Sequence, residues 1–313
     1  MPTSNAIPPR ALALLAVLTL VWGTNWTLFP LAVSEVSVWT FRGLALPVAG
    51  VTLLGVARMR GHSLVIPRQD WSTVGAASLA YLVVWNIAST YAAVMIPSGQ
   101  AAVLGFTMPL WAAAFSALFL GERPTLRMAA ALLLGGASVG LLLHAGRDAY
   151  AQAPAGFALG LLAGAGWAAG TLILKRHPPR ASALVLTGWQ LLVSSVPIAV
   201  GAVVLAREPW FWPSWTSMAA IAYITLVPMC VGNLAWFSIV GMLPAQVAGL
   251  SSILVPMVAM VTGAVVRAEP LGPLQWTAMA CCAGALWLAL RPGGSQSTRP
   301  TGSAHSPEPL RPD

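Results

Sequence analysis

Residues 92–124 read AAVMIPSGQAAVLGFTMPLWAAAFSALFLGERP. The stretch is apolar almost throughout, yet it carries Pro97, Pro109 and Glu122, spaced 12 and 13 residues apart. Residues 242–270, MLPAQVAGLSSILVPMVAMVTGAVVRAEP, carry Pro244, Pro256 and Glu269 at the same two spacings. Each of these lies 147 positions after its counterpart (244 minus 97, 256 minus 109, 269 minus 122). The offset holds elsewhere: Gly23 and Thr24 fall on Gly170 and Thr171, Asn86 on Asn233, and Met95 on Met242. A chance match does not extend along a chain in this way, so the sequence is a tandem duplication of residues 11–144 and 155–290.

The solvent of this duplicated unit follows from composition. Of the 313 residues, 58% are hydrophobic and 8% charged, against roughly a quarter charged in a soluble domain. A water-soluble surface cannot be built from these residues. Runs of about 18 or more apolar residues cross a hydrocarbon core of about 30 Å as helices. Ten such runs are predicted, over residues 11–30, 35–57, 72–94, 98–120, 126–144, 155–174, 182–205, 216–239, 243–266 and 271–290. The fold class is an all-α membrane protein of ten transmembrane helices in two five-helix repeats. Residues 1–10 read as a cytoplasmic segment, 145–154 as a linker and 291–313 as a disordered tail with nothing to bury. LVWGTNW at residues 20–26 has no small-x-small cleavage site, which favours an uncleaved first span over a signal peptide.

The net charge of +8 does not gather into one basic patch, so no nucleic-acid partner is expected. With the N-terminus in the cytoplasm, Arg10, Arg58, Arg60, Arg68, Arg123, Arg127, Lys175, Arg176, Arg180, Arg291, Arg299 and Arg311 fall inside. Only Arg147, Arg207 and Arg267 fall outside, and Arg42 lies within a span. This bias predicts both termini in the cytoplasm. Five spans per repeat, an odd number, then force the second repeat into the bilayer upside down. Inverted repeats can rock against each other and open a midplane site first to one side and then to the other, as secondary transporters do.

LVWGTNW, WTFRGLALPVAG at residues 39–50 and IPSGQAAVLGFTMPLWAAAFSALFLGERPT at residues 96–125 resemble the EamA-like members of the drug/metabolite transporter superfamily. The resemblance runs through both halves. It implies a bacterial cytoplasmic (inner) membrane carrier of ten helices that moves amino acids or other small metabolites, often as an exporter.

Candidate site residues follow from polarity at depth. Arg42 lies about eight residues into the second span, where a guanidinium is costly unless it is paired or faces water. Either it faces a cavity, where its forked donors suit a carboxylate, or it pairs with Glu35, seven residues earlier on the same helical face. Trp22, Asn25, Trp26 and Phe29 share one stripe of the first span. Asn86, with Ser89 and Thr90, and the repeat-related Asn233, with Trp236 and Phe237, form similar stripes, which serve either as glue between helices or as substrate contacts. Tyr91, Trp111, Trp167 and Gln190 are further cavity candidates, with ordinary packing as the alternative reading. Pro109 and Pro256 remove an amide donor inside their spans and free the carbonyl four residues earlier, at Gly105 or Ser252, giving kinks or gating points. Glu122 and Glu269 stand at span ends just ahead of the next helix and are expected to cap it.

Other classes lack their chemistry. Trp39, Trp71, Trp210, Trp212 and Trp215 sit near span ends, where an interfacial position accounts for them. Cys230, Cys281 and Cys282 have no metal-ligand spacing with histidine and read as packing residues. No cofactor or metal is called for, because no convergent cluster of acids, bases, nucleophiles or metal ligands at one depth and no phosphate-binding loop is present. An enzyme is therefore not expected, nor is ATP coupling. The alternative to a carrier of small molecules is a non-transporting membrane receptor or assembly partner. Composition does not reach the oligomeric state.

Overall fold

The structure is a computed structural model that describes residues 9–121, 125–206, 212–242 and 250–290. The predicted cap Glu122, its neighbour Arg123, Pro244, the first eight residues and the segment 291–313 lie outside them. The described residues form helices throughout and contain no strand. In order these are α1 (Pro9–Ala32), α2 (Val38–Met59), α3 (Trp71–Ser78), α4 (Val84–Met95), α5 (Ser98–Gly105), α6 (Met108–Leu120) and α7 (Leu126–Ala145). There follow α8 (Arg147–Gln152), α9 (Pro154–Arg176), α10 (Ala183–Leu205), α11 (Trp215–Leu226), α12 (Gly232–Met242), α13 (Leu250–Arg267) and α14 (Pro273–Leu290).

Among the described residues, eight helical runs are long and apolar enough to cross a membrane, and residues Leu254–Arg267 make a shorter apolar helix. Their outward faces carry large apolar side chains open to the surroundings, among them Val51, Phe119, Leu133 and Val203. Such a surface is stable in lipid, where no water has to be ordered around it, and the chain is a multi-pass membrane protein.

Among the described residues, three spans are not continuous α-helices. A single π turn, Leu79–Val83, joins α3 to α4, and another, Val227–Val231, joins α11 to α12. They occupy matching places in the two repeats. A π turn widens the helix and loosens its regular ladder, and such turns concentrate at functional positions. The fourth span breaks outright between α5 and α6. Pro109 therefore opens a helix, near its first turn, where its missing amide is tolerated, and does not kink the interior of one. The Gly105 carbonyl that it leaves free faces α9, with a Cβ on Gly164 falling only 2.9 Å from it. A neighbouring backbone covers this carbonyl, which favours packing over substrate contact. Pro256 does lie inside its helix, α13.

Packing joins the halves to each other. Helix α1 lies against α13, while α9, which follows α1 by the repeat offset, lies against α5 and α6. Helices α2 and α10 pair directly, as do α7 and α14. Small residues allow the close approach: Gly50 and Gly188 face each other between α2 and α10, and Gly99 rests on the backbone of α13. A Cβ on Gly99 would stand 2.6 Å from Met260 Cα, an atom that cannot rotate away. Gly99→Ala is expected to lower stability by about 2 kcal/mol from overpacking despite the better helix propensity of alanine. Gly55→Ala, with nothing within 4 Å, is expected to be neutral or mildly stabilising. Thermal unfolding of the two variants in detergent checks the pair, and equal unfolding temperatures would refute the tight α5–α13 contact.

The segment between the repeats contains the short helix α8. This helix is held by Tyr150, whose hydroxyl donates to the buried Gln100 side chain across the bundle.

Candidate functional site

The two π turns bring the matching asparagines to one cavity. Asn86 follows the first turn and donates from Nδ2 to the Leu82 carbonyl at 2.8 Å; Asn233 follows the second and donates from Nδ2 to the Met229 carbonyl at 2.6 Å. Both amides satisfy a carbonyl of the widened helix, as buried polar groups must be satisfied. Both asparagines, with Leu82 and Met229, line one partly open cavity. Tyr81 and Pro228, related by the same offset, line it too.

Arg42 stands in the wall of this cavity, on α2, and is only 2% exposed. Its Nε and one terminal nitrogen donate to Thr90 Oγ1 at 2.8 and 2.6 Å. Thr90 in turn donates to the Asn86 carbonyl at 2.7 Å, one turn back along α4. The guanidinium carbon lies 4.6 Å from the ring centroids of both Phe29 and Phe41, which contribute cation–π attraction in a water-poor site. No carboxylate pairs with Arg42 among the described residues. Glu35 is engaged elsewhere: its carboxylate accepts from the Ser214 amide at 2.6 Å, at the start of α11. The hydrogen bonds from Ser214 hold the Glu35 carboxyl below its ordinary pKa, so it stays ionised at neutral pH. The helical-face argument for a Glu35–Arg42 pair fails because the chain turns out of helix at residues 33–37.

Aromatic rings close the rest of the cavity. Tyr81 and Trp85 each meet Trp167 edge to face, with centroids 4.3 and 4.6 Å apart, and Trp26 meets Trp85 in the same manner at 5.9 Å. These contacts fix the rings by packing alone. Trp22 donates its indole nitrogen to the Pro228 carbonyl at 3.0 Å, which ties α1 to the second π turn. Asn25, on the same stripe, lines the cavity, and its Oδ1 is buried without a hydrogen-bond partner.

Of the sequence candidates, Trp22, Asn25, Arg42, Asn86, Trp167 and Asn233 thus meet at one cavity. Trp236 backs the wall, stacked on Trp22 at 6.1 Å. Gln190 is buried beside the wall residues Thr187 and Leu191, with its Nε2 unpartnered, but does not itself line the cavity. Tyr91 and Trp111 do not line it either. Trp111 packs on Phe115 along α6, because the helix break before Pro109 re-aims the residues beyond it. Tyr81, Trp85 and Phe106 are wall residues that sequence reasoning misses. Pro228 was the available signal, since a mid-span proline disturbs its helix, and the repeat offset carries that mark back to Tyr81.

Glu269 does cap a helix, but not the next one. Its Oε1 accepts from the Ser98 amide at 2.8 Å and the Ser98 hydroxyl at 2.6 Å, and its Oε2 from the Gly99 amide at 3.0 Å. The capped helix is α5, in the other repeat. Arg267 Nε lies 3.8 Å from the same carboxylate.

A cavity walled by matching elements of two repeats, inside an apolar helical bundle, is the setting in which the chain can be compared with others. The EamA-like transporter family matches it twice, over residues 9–144 and 154–291. The chain belongs to this family. Relatives within reach of the EamA-like sequence include the "Uncharacterized transporter YvbV" of Bacillus subtilis, 26% identical over 84% of this chain and 85% of its own. The "Uncharacterized inner membrane transporter YedA" of Escherichia coli K12 is 24% identical over 85% of each chain. A "Probable amino-acid metabolite efflux pump" of Salmonella typhimurium is 25% identical over 84% of this chain and 88% of its own. A crystal structure of a protein 20% identical in sequence matches with a TM-score of 0.63, over 89% of this chain and 96% of the other, a likeness of fold. The EamA-like chain is a membrane transporter.

Proposed function

We propose that the protein is a secondary transporter of the bacterial cytoplasmic membrane that exports an amino acid or a related small metabolite by alternating access. The observation that carries the substrate class is Arg42: a buried guanidinium on the cavity wall, without a carboxylate partner among the described residues. Burying such a charge costs several kcal/mol unless a counter-ion arrives, and a solute carboxylate supplies one with matching forked geometry. The name of the efflux-pump relative agrees with this class, and YedA's name with the membrane.

For the mechanism we read ten spans in two inverted repeats with both termini cytoplasmic. Support comes from the pairing of each helix with a helix of the other half and from polar contacts that tie the halves at their ends. In that topology the Glu35–Ser214 and Glu269–Ser98 contacts fall on the outer side, and the Asp70 carboxylate accepting from the Arg180 amide at 2.9 Å falls on the inner. Alternate release of the two sets is the motion by which the cavity would change sides.

A carboxyl held well ionised is a poor proton carrier near neutral pH, which removes Glu35 as a coupling group. Movement down the solute gradient is the reading that remains. Purified protein in liposomes is expected to carry labelled amino acid at a rate that does not depend on an imposed pH gradient, in the parent and in Glu35→Gln. Absence of flux for every solute in a panel of amino acids, nucleosides and organic cations would overturn the transport reading. Strict dependence on the pH gradient would overturn the uncoupled mechanism.

A further inference from the structure

The cavity wall has a second unpaired chemistry, opposite in kind to Arg42. The Nδ2 groups of Asn86 and Asn233 point at the carbonyls of Leu82 and Met229. An amide in this position cannot be turned over, because its oxygen would then face a carbonyl oxygen. The Oδ1 atoms of both therefore point away from those carbonyls and remain acceptors. Asn25 Oδ1 is buried at the wall with no donor, a deficit that lasts until one arrives. The indole N–H of Trp22, on the same stripe, already serves the Pro228 carbonyl.

We propose that Asn25, Asn86 and Asn233 form an acceptor subsite for the protonated amine of the transported solute. A primary ammonium brings three donors on one compact centre. The surrounding rings of Trp22, Trp26 and Trp85 attract a cation, and among the described residues no acidic side chain lines the cavity. Neutral acceptors and ring faces bind an ammonium weakly enough for release, as a carrier requires. Arg42 donates to Thr90, one turn beyond Asn86 on α4, so a donor for the carboxylate and acceptors for the amine of an α-amino acid line the same cavity. The solute's own side chain then meets the rings of Tyr81, Phe106 and Trp167, which select a large apolar or aromatic group.

This assignment rests on the transport reading and is tested apart from it. Labelled phenylalanine is followed in liposomes, with phenylpyruvate (amine replaced by oxo) and phenethylamine (carboxylate removed) as competitors sharing its ring. In the parent protein phenylpyruvate is expected to compete about tenfold less well than unlabelled phenylalanine, or worse. Asn25→Leu, close in size, is expected to bring that ratio toward one, and Asn25→Asp, which keeps the size and adds a charge, to raise the affinity for phenethylamine. Equal competition by phenylalanine and phenylpyruvate in the parent, or a ratio unchanged in both variants, would overturn the subsite while leaving transport intact. So would sodium-dependent flux without amine discrimination, since carbonyl oxygens also hold a monovalent cation. A protein that moves no solute would overturn both.

Discussion

Replacing Arg42 by alanine is expected to lower solute flux by about a hundredfold or more at subsaturating concentration, with little loss of folded protein. Flux falls because the guanidinium is the one buried cation on the cavity wall among the described residues, and a carboxylate deprived of it would have to leave water for rings and amides. Stability holds for the opposite reason. An unpaired buried charge is a liability, and removing it relieves desolvation rather than stranding a partner. Thr90, which accepts from Arg42, keeps its own bond to the Asn86 carbonyl. Arg42→Lys keeps the charge, loses the fork and is expected to fall between the two. Flux in liposomes and the monodisperse fraction in detergent check both halves of the prediction. Parent-like flux in a well-expressed Arg42→Ala protein would remove this residue from the site, and loss of folded protein in step with flux would make its role structural.

Glu269→Ala is expected to destabilise the bundle by about 3 kcal/mol and to lower its unfolding temperature in detergent by several degrees. The carboxylate accepts three hydrogen bonds at the start of α5, with only 13% of its side chain exposed, and the helix dipole adds to each. Removing it leaves two backbone amides and a hydroxyl without partners in a region shielded from water. Glu269→Gln keeps one acceptor oxygen but presents an NH₂ group to donors, and is expected to recover less than half of the loss. Because the contact ties the two repeats, flux should change in the same variants, through the balance between outward and inward states. An unfolding temperature equal to that of the parent would show that water replaces the carboxylate and that the clasp holds nothing.

The contrast between these two residues shows what was legible beforehand. Arg42 announced itself, because a charge eight residues into an apolar run has few destinations. Glu269 was legible as a cap but not in its target, since its partners Ser98 and Gly99 are 171 and 170 residues away in the chain. The asparagines were legible through the repeat, which put Asn86 and Asn233 in register. Their orientation was not, because it depends on two π turns, of which only the second carries a local mark, Pro228. Depth alone makes Tyr91 and Trp111 cavity candidates with packing as the alternative, and the lining takes in Tyr81, Trp85 and Phe106 in their stead.

The sequence by itself determined the solvent and the duplication: hydrophobic length and a repeated spacing are one-dimensional properties. Tertiary structure decided which ring faces the cavity, which carbonyl each amide meets and which helix Glu269 clasps. In lipid the outer face of a span is as apolar as its inner face, so the alternation of polar and apolar residues that marks inside from outside in water is missing here. Only the approach of the other repeat supplies that distinction.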